Sequence, residues 1–277
     1  MKGLTRRAIT AVLFVVVMLT GLFIGKLSFI LLFAVITILC LWEFLGMVLH
    51  HDTRRDWIRI FIGVVFGLSP FVLASVMHMA LGSNDRFVII TSVLFFPLIF
   101  SAFIYELFTA SEKPFQNVAF MVLGMVYIGA PFSLLNFIAF NGDSFNVWPI
   151  FGLLLLTWMN DTGAYLIGSK FGKTPLLPRI SPKKTWEGTL GGVAVTFGVG
   201  YLFCAVTGEL RFVDWMVLSG IVAVFGSIGD LIESMLKRSL AVKDSGTLLP
   251  GHGGMLDRFD AFIFSLPFAA AYLLYIR

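Results

Sequence analysis

The chain has 277 residues, of which 58% are hydrophobic and only 13% are charged, and 30 of them are phenylalanines. Because soluble domains carry roughly 25% charged residues, this composition excludes an ordinary soluble domain and indicates a chain that lies mostly in lipid. The net charge is +4. The two cysteines, Cys40 and Cys204, lie in apolar segments, without the spacing of a metal site or of a disulfide framework.

A transmembrane helix needs about 20 mainly apolar residues, and nine segments of the chain meet this condition. From the N-terminus they are approximately 8–25, 27–49, 58–81, 87–109, 115–140, 147–169, 188–208, 213–236 and 259–276. We therefore predict an all-α polytopic membrane protein with about nine transmembrane helices. The first segment resembles a signal peptide but lacks a small-x-small cleavage site, so we interpret it as a retained span. Only Gly25-Lys26 separates it from the second segment, which leaves open a hairpin that does not fully cross the bilayer.

The distribution of lysine and arginine predicts the orientation of these spans. With nine spans, 16 of the 20 cations fall on the side that carries the N-terminus, and 4 fall on the other side. The N-terminus is therefore predicted to be cytoplasmic and the C-terminus extracytoplasmic. A cytoplasmic face of this kind suits anionic lipid head groups or phosphates, and we expect no nucleic-acid partner.

The polar residues divide the chain into two predicted regions. Residues 1–146 contain the first five spans as N-terminal membrane helices. Residues 147–277 contain spans 6–9, and we interpret them as the catalytic region. Two long basic loops of this region, 170–187 and 237–258, are predicted to share the cytoplasmic side, because spans 7 and 8 form one out-and-back hairpin between them.

Three carboxylates of this region lie within apolar spans: Asp161, Asp230 and Glu233. A charge inside the membrane costs several kcal/mol, so such residues usually face a cavity and carry function. With a helical rise of about 1.5 Å per residue, Asp230 lies about 10 Å and Asp161 about 13 Å below the cytoplasmic boundary. Asp257 and Asp260 begin the last span from the same side. We therefore predict a recess below the cytoplasmic interface.

The residue types in this recess favour phosphate chemistry. Carboxylates without nearby histidine or cysteine ligands suit Mg²⁺, which also binds substrate phosphates. The nearby cations that suit a polyphosphate are Lys183, Lys184, Lys237, Arg238, Lys243 and Arg258. Gly251, Gly253 and Gly254 surround His252 and allow backbone N–H groups to approach phosphate. Together these residues predict a membrane-embedded, Mg²⁺-dependent, phosphate-handling site.

Plainer interpretations of single residues stay open. Asp230 and Asp161 are each also compatible with a buried ion pair, and His252 with a turn. Glu233 is compatible with an ordinary interfacial position, and we interpret Glu43 and Glu106 as interfacial or structural. The pairs Gly168/Gly172 and Gly188/Gly192 have the small-xxx-small spacing of packed membrane helices.

Two blocks of sequence resemble the phosphatidate cytidylyltransferases, also called CDP-diacylglycerol synthases. The first block comprises SMLKRSLAVKDSG (234–246) and PGHGGMLDRFD (250–260). The second comprises DTGAY (161–165) and SPKKTWEG (181–188), with Gly168, Gly172, Lys173 and Pro178 between them. The specific resemblance covers about residues 157–267, whereas the N-terminal half is similar only as a series of spans.

The resemblance implies an activity and a setting. CTP and phosphatidic acid would give CDP-diacylglycerol and pyrophosphate, with Mg²⁺ and possibly a second cation required. The protein would be a homodimer in the cytoplasmic (inner) membrane of a bacterium, with its active site facing the cytoplasm.

Within that reaction we assign roles to individual residues. Asp230 and Asp257 are the predicted metal ligands, and Asp161 and Asp260 are candidates for a further ligand or for orienting the site. The predicted contacts to the triphosphate or the lipid phosphate are Lys183, Lys243, Arg258, Ser181 and Thr185. Further substrate contacts are predicted for Lys184, Lys237, Arg238, Asp244, Gly253 and Gly254. His252 is a candidate proton acceptor, although the ionised lipid phosphate does not need a strong base.

Two other classes of protein compete with this interpretation. A secondary transporter also places carboxylates in the membrane, but transporters tend to show internal repeats and a midplane site. Here no repeat is visible and the polar groups concentrate toward one face. A transferase that consumes CDP-diacylglycerol would carry a DG-x₂-AR-x₈-G-x₃-D-x₃-D motif, which we do not find.

Overall fold

The computed structural model describes residues 2–49, 53–79, 85–109, 111–142, 144–249, 251 and 253–276. Over these residues the chain forms nine continuous helices, and each predicted apolar segment lies on one of them. They are α1 (Lys2–Phe23), α2 (Lys26–Val48), α3 (Arg54–Met79), α4 (Asp85–Thr109), α5 (Pro114–Ala139), α6 (Trp148–Phe171), α7 (Trp186–Thr207), α8 (Phe212–Ser239) and α9 (Leu256–Tyr275). The chain is therefore mainly helical, as its hydropathy predicts.

Six of these helices are long and apolar enough to cross a membrane, judged over the described residues: α2, α3, α5, α6, α7 and α8. This agrees with an all-α polytopic membrane protein. The number of nine spans and the orientation of the two termini remain predictions.

Two short antiparallel hairpins connect helices. Strands β1 (Phe140–Asn141) and β2 (Ser144–Phe145) follow α5, and strands β3 (Pro175–Leu177) and β4 (Ser181–Thr185) lie between α6 and α7. In the second hairpin Pro175 pairs with Thr185 and Leu177 with Ser181. The predicted loop 170–187 is thus largely an ordered hairpin, and it carries the SPKKT part of the motif on β4.

Two of the helices contain a π-helical turn. One spans Met125–Gly129 in α5 and the other spans Val222–Gly226 in α8. In α5 the turn is followed by Pro131, which has no N–H for the regular helical hydrogen bond. In α8 the turn ends directly before Ser227, one helical turn ahead of Asp230. Such single turns often occur at functional sites, since they change the direction of the side chains that follow.

The chain divides into two compact units. The first consists of Met1–Phe145 and Asp244–Asp257, and the second of Asn146–Lys243 and Arg258–Arg277. The segment Asp244–Asp257, part of the predicted loop 237–258, is therefore grouped with the N-terminal helices. The core of the first unit is aromatic, with Phe29, Phe33 and Phe132 all fully buried.

A close helix contact in the first unit depends on glycine. A Cβ atom built at Gly129 in α5 would overlap the carbonyl oxygen of Gly67 in α3. Because the obstacle is backbone, no side-chain rotation relieves it. We expect Gly129→Ala to lower the free energy of unfolding by about 1–3 kcal/mol, measured as thermal unfolding in detergent micelles.

The matched control for this substitution is Gly198→Ala in α7. A Cβ at Gly198 has open space around it, and alanine is the better helix former by about 1 kcal/mol. We expect this variant to unfold at the wild-type temperature or above. Equal unfolding temperatures for Gly129→Ala and the wild type would contradict the proposed backbone contact.

Candidate active site

A pocket of about 420 Å³ lies in the second unit. Its lining residues are Asn160, Asp161, Ala164, Tyr165, Gly168, Ser169, Leu176, Lys183, Lys184, Thr185, Gly188, Thr189, Ser227 and Asp230. Both predicted intramembrane aspartates, Asp161 from α6 and Asp230 from α8, are among them. The two lysines of the SPKKT motif contribute positive charge from β4. The structure thus brings together residues that are up to 70 positions apart in sequence.

The β3–β4 hairpin is held by the first turn of α7. The carboxylate of Glu187 accepts hydrogen bonds from the backbone N–H groups of Lys173 and Thr174, at 3.1 and 3.1–3.2 Å, and from the Thr174 hydroxyl at 2.9 Å. Thr185 is the N-cap of α7, and its hydroxyl oxygen accepts the N–H of Gly188 at 3.2 Å. These contacts fix both ends of the hairpin, which explains how Lys183 and Lys184 reach the pocket.

Close packing of α6 on α7 forms the floor of the pocket. A Cβ at Gly168 would lie 3.3 Å from the Cα of Gly188, and a Cβ at Gly192 would lie 2.8 Å from the carbonyl oxygen of Asn160. Larger residues at these positions would push the helices apart. The small-xxx-small spacing is therefore confirmed as a packing contact, and Gly168 and Gly188 also line the pocket.

Asp230 forms an ion pair on the pocket wall. Its Oδ2 atom lies 2.5 Å from Nζ of Lys184, and the two side chains are 30% and 27% exposed. Ser234, one helical turn later, donates its hydroxyl to Oδ1 of Asp230 at 3.3 Å. The ion pair that sequence reasoning left open for Asp230 is thus present, but it is accessible from the pocket rather than sealed in a core.

Polar residues that sequence reasoning missed support Asp161. The Asn160 side chain is buried, where it donates to Ser227 Oγ at 3.4 Å and accepts from the Thr196 hydroxyl at 3.2 Å. This network joins α6, α7 and α8 directly beside Asp161, which remains accessible. The sequence signal was an amide next to an intramembrane aspartate, and it was too weak to interpret alone.

Other predicted residues of the second unit have different partners. Asp260 is buried and accepts the N–H of Ala261 at 2.7 Å. Glu233 is also buried and pairs with Lys237 at 2.6 Å. The side chain of Glu233 is thus fully covered by protein, and its position at the membrane interface stays a prediction. The contact of Lys237 with substrate stays a prediction.

The remaining cations of the second unit lie outside the pocket lining. Arg238 is exposed and donates to the carbonyl oxygens of Ile180 and Val242, both at 3.4 Å. Lys243 and Arg258 are exposed, and Ser181 is half-buried at the start of β4. Their contacts with phosphate stay predictions.

Residues Asp244–Asp257, which form most of the later part of the first motif block, belong to the first unit. Asp257, in the first turn of α9, accepts the N–H of Ser245 at 3.0 and 3.2 Å and the N–H of Gly254 at 2.7 Å. Gly253 has a φ angle of +84°, a conformation that favours glycine. The next residue, Gly254, is buried. Asp244 is exposed. His252 lies outside the described residues.

A carboxylate from α2 holds this same segment. Glu43 accepts hydrogen bonds from the Ser245 hydroxyl at 3.0 Å, from the N–H of Met255 at 2.9 Å and from the N–H of Leu256 at 2.8 Å. Its structural role agrees with one of the two interpretations left open. The partners, about 200 residues away in sequence, could not be predicted without the fold. Glu106 pairs instead with Arg59.

The residues of the pocket fit Mg²⁺ in its usual mode. Among the described residues, no group of three or more His, Cys, Asp or Glu side chains is placed to hold a metal ion. Mg²⁺, however, is commonly bound by one or two carboxylates and completes its octahedral shell with water and substrate phosphates. Asp161 and Asp230, two carboxylates that both line the pocket, match that pattern.

The fold and the pocket together define a polytopic helical membrane protein with a pocket lined by carboxylates and lysines. These are the residue types that bind phosphate groups and their counter-ions. The chain belongs to the cytidylyltransferase family, whose model matches residues 5–276.

Curated relatives support this membership. A phosphatidate cytidylyltransferase of Bacillus subtilis (strain 168) is 35% identical over 271 residues, which cover 97% of both chains. Proteins of the same name from Staphylococcus aureus (strain COL) and Staphylococcus haemolyticus (strain JCSC1435) are 40% and 41% identical over 173 and 170 residues. Each of these two matches covers 59% of this chain and 62% of the relative. The resemblance seen in the motifs is confirmed, and the chain is an enzyme of this family.

Proposed function

We propose that this enzyme transfers the cytidylyl group of CTP to phosphatidic acid, which yields CDP-diacylglycerol and pyrophosphate. The relatives' names give the substrate. The observation that carries the proposal is the pocket of the second unit, where the DTGAY and SPKKTWEG motifs and Asp230 meet. A transporter would need a site reachable from both sides, whereas these residues belong to motifs of a transferase family.

The pocket suits a reaction between two anions. An oxygen of the lipid phosphate attacks the α-phosphorus of CTP, a new phosphorus–oxygen bond forms, and the bond to the β-phosphate oxygen breaks. Pyrophosphate leaves with the electron pair of that bond. Since the lipid phosphate is already ionised near neutral pH, no strong base and no covalent intermediate are required. Lys183 and Lys184 reduce the repulsion between the reactants and hold phosphate oxygens.

We propose Asp230 and Asp257 as the residues that hold Mg²⁺, with Asp161 and Asp260 as a further ligand or as orienting groups for one or two cations. When bound, Mg²⁺ supplies positive charge next to the transferring phosphoryl group. Lys184, the ion-pair partner of Asp230, is the proposed contact to a phosphate oxygen. Lys243, Arg258 and Ser181 complete the proposed phosphate contacts, while His252 stays a candidate proton acceptor.

The setting follows from the same proposal. The acyl chains of the lipid substrate stay in the bilayer, so the site would open both sideways to lipid and toward the cytoplasm, where CTP is found. We propose a homodimer in the bacterial inner membrane as the working form.

The direct test uses purified protein in mixed micelles with radiolabelled CTP, phosphatidic acid and Mg²⁺. A liponucleotide that requires the protein, the lipid and CTP together supports the proposal. Formation of a labelled product only with a different lipid phosphate would keep the reaction and change the substrate. No labelled lipid with any lipid phosphate would contradict the proposed function.

A charge-neutral substitution on the hairpin tests phosphate binding. Lys183 is exposed and lines the pocket, so we expect Lys183→Gln to raise the KM for CTP or phosphatidic acid by about tenfold, the cost of one charge-assisted hydrogen bond. The matched control is Lys170→Gln at the end of α6, an exposed lysine that does not line the pocket. Equal KM values for the two variants would mean that Lys183 does not bind phosphate and only helps to set the orientation of the chain in the membrane.

A further inference from the structure

Helix α2 lies far from both motif blocks in sequence. It nevertheless contributes a carboxylate that contacts residues 245–256 of the first block, which we call the signature segment. Within the first unit, Glu43 is the acceptor for one hydroxyl and two backbone N–H groups of residues 245–256, at 2.8–3.0 Å. A charged acceptor with three donors forms hydrogen bonds roughly twice as strong as neutral ones. The contact is therefore a specific anchor rather than an incidental one.

The two N–H groups are those that a helix leaves without internal partners. Helix α9 begins at Leu256, and the first N–H groups of a helix have no carbonyl one turn earlier to bind. An N-cap side chain usually accepts the N–H of the second or third helical residue, so the N–H groups before these need another acceptor. Here the carboxylate of Glu43 accepts the N–H groups of Met255 and Leu256, and its negative charge is also favoured by the helix dipole.

The same segment fixes the orientation of Asp257. The hydroxyl of Ser245 donates to Glu43 and accepts the N–H of Asp257 at 3.3 Å, while the N–H of Ser245 donates to the Asp257 carboxylate. Gly254, next to Met255, donates to the same carboxylate. Ser245 and Gly254, two donors to the Asp257 carboxylate, are therefore a residue held by Glu43 and the neighbour of one.

The glycines of the segment make room for this carboxylate. A Cβ at Gly246 would lie 2.5 Å from Oε1 of Glu43, and a Cβ at Gly254 would overlap Oε2 of Glu43 and the Ser245 hydroxyl. Gly246 has no positive φ angle, so a larger residue there is opposed by the neighbouring carboxylate and not by the backbone.

We propose that Glu43 is a positioning residue of the active site, which fixes the 245–256 segment and thereby the carboxylate of Asp257. This inference rests on the proposed function for the role of Asp257. In this proposal Glu43 does not act on the substrate directly. It acts by holding the backbone donors of the signature segment in place.

The test compares Glu43→Gln with Gly46→Ala, a control on the same helix where a Cβ has open space. Glutamine replaces one acceptor oxygen by an NH₂ donor that faces either Met255 N–H or Leu256 N–H. We expect kcat to fall at least about tenfold, as for residues that orient metal ligands, with little change in the KM values for CTP and phosphatidic acid. Hydrogen exchange of the 245–256 amides in the protein without substrate should accelerate, while exchange in the helices stays unchanged.

A second variant separates positioning from loss of the side chain. Gly246→Ala should lower kcat in the wild-type background, because its methyl group displaces the Glu43 carboxylate. In a Glu43→Ala background the same substitution should have little further effect, since nothing is left to displace. Such non-additivity is the mark of two residues that act through one contact.

Two results would overturn the proposal. One is a Glu43→Gln protein with wild-type kcat, whether or not amide exchange accelerates. The other is unchanged exchange in the 245–256 segment together with a lower kcat. If the wild-type protein forms no liponucleotide at all, the proposed function fails, and amide exchange still decides whether Glu43 holds the segment.

Discussion

Replacement of Asp230 by asparagine should lower kcat for liponucleotide formation by more than about 100-fold, because even residues that only support metal ligands are worth about 10–100-fold. Asparagine has the same shape but no charge, so it binds Mg²⁺ weakly and leaves Lys184 without its counter-ion. The folded protein should be little affected, since a partly exposed ion pair contributes only about 0–1 kcal/mol. The measurements are steady-state kinetics over a range of Mg²⁺ concentrations and thermal unfolding.

Lys184→Met is the matched control, because it breaks the same ion pair from the other side. If the loss in Asp230→Asn arises only from the broken pair, both variants should show the same kinetics. We expect them to differ: Lys184→Met should mainly raise the KM of a phosphate-bearing substrate, and Asp230→Asn should mainly lower kcat. Near-normal turnover of Asp230→Asn would contradict its assignment as a metal ligand.

The convergence of four pocket residues could be predicted, because it depends on properties that can be read from short stretches of sequence. These residues are Asp161, Asp230, Lys183 and Lys184. A carboxylate in an apolar helix has to face a cavity, and the helical rise gives its depth below the lysine-rich boundary. The predicted out-and-back hairpin of spans 7 and 8 then predicts the same side of the membrane for both motif blocks. These steps need only hydropathy, charge and spacing, which the sequence contains directly.

The partners of individual side chains could not be predicted in the same way. The pairing of Lys184 with Asp230, the Asn160–Ser227 contact and the anchoring of residues 245–256 by Glu43 each depend on how separate helices pack. Several lysines and several carboxylates were equivalent by sequence. Only the backbone positions, set by glycine contacts and by the π-helical turn before Ser227, select one pair.

Glu43 shows why a lone intramembrane charge is informative even when its sequence neighbours are not. A carboxylate that lies in an apolar helix without a local partner must find distant donors, or it would pay a large desolvation penalty. In this protein the donors include the N–H groups at the start of α9 that have no partner within the helix. The N-terminal helices therefore do more than anchor the chain in lipid, because one of them supports the signature segment.

Replacement of Asp257 by asparagine should also lower kcat by more than about 100-fold. Residues that only orient metal ligands are worth about 10–100-fold, and a ligand itself should be worth more. The structure allows this loss to be separated from damage to the segment. Oδ2 of Asp257 accepts both Ser245 N–H and Gly254 N–H, at 3.0 and 2.7 Å. An asparagine whose carbonyl oxygen takes that position keeps both hydrogen bonds while it loses the charge. We therefore expect protected amides at Ser245 and Gly254 in an inactive protein.

Ser245→Ala provides the opposite comparison. It keeps the Asp257 carboxylate and the Ser245 N–H but removes the hydroxyl that donates to Glu43 and accepts Asp257 N–H. A neutral hydrogen bond of this kind contributes about 1 kcal/mol, so we expect faster amide exchange in residues 245–256 with only a partial loss of kcat. If Asp257→Asn instead loses amide protection in proportion to its activity, the role of Asp257 is to hold the segment. Near-normal turnover of that variant would exclude Asp257 as a metal ligand, because asparagine keeps these backbone contacts and removes only the charge.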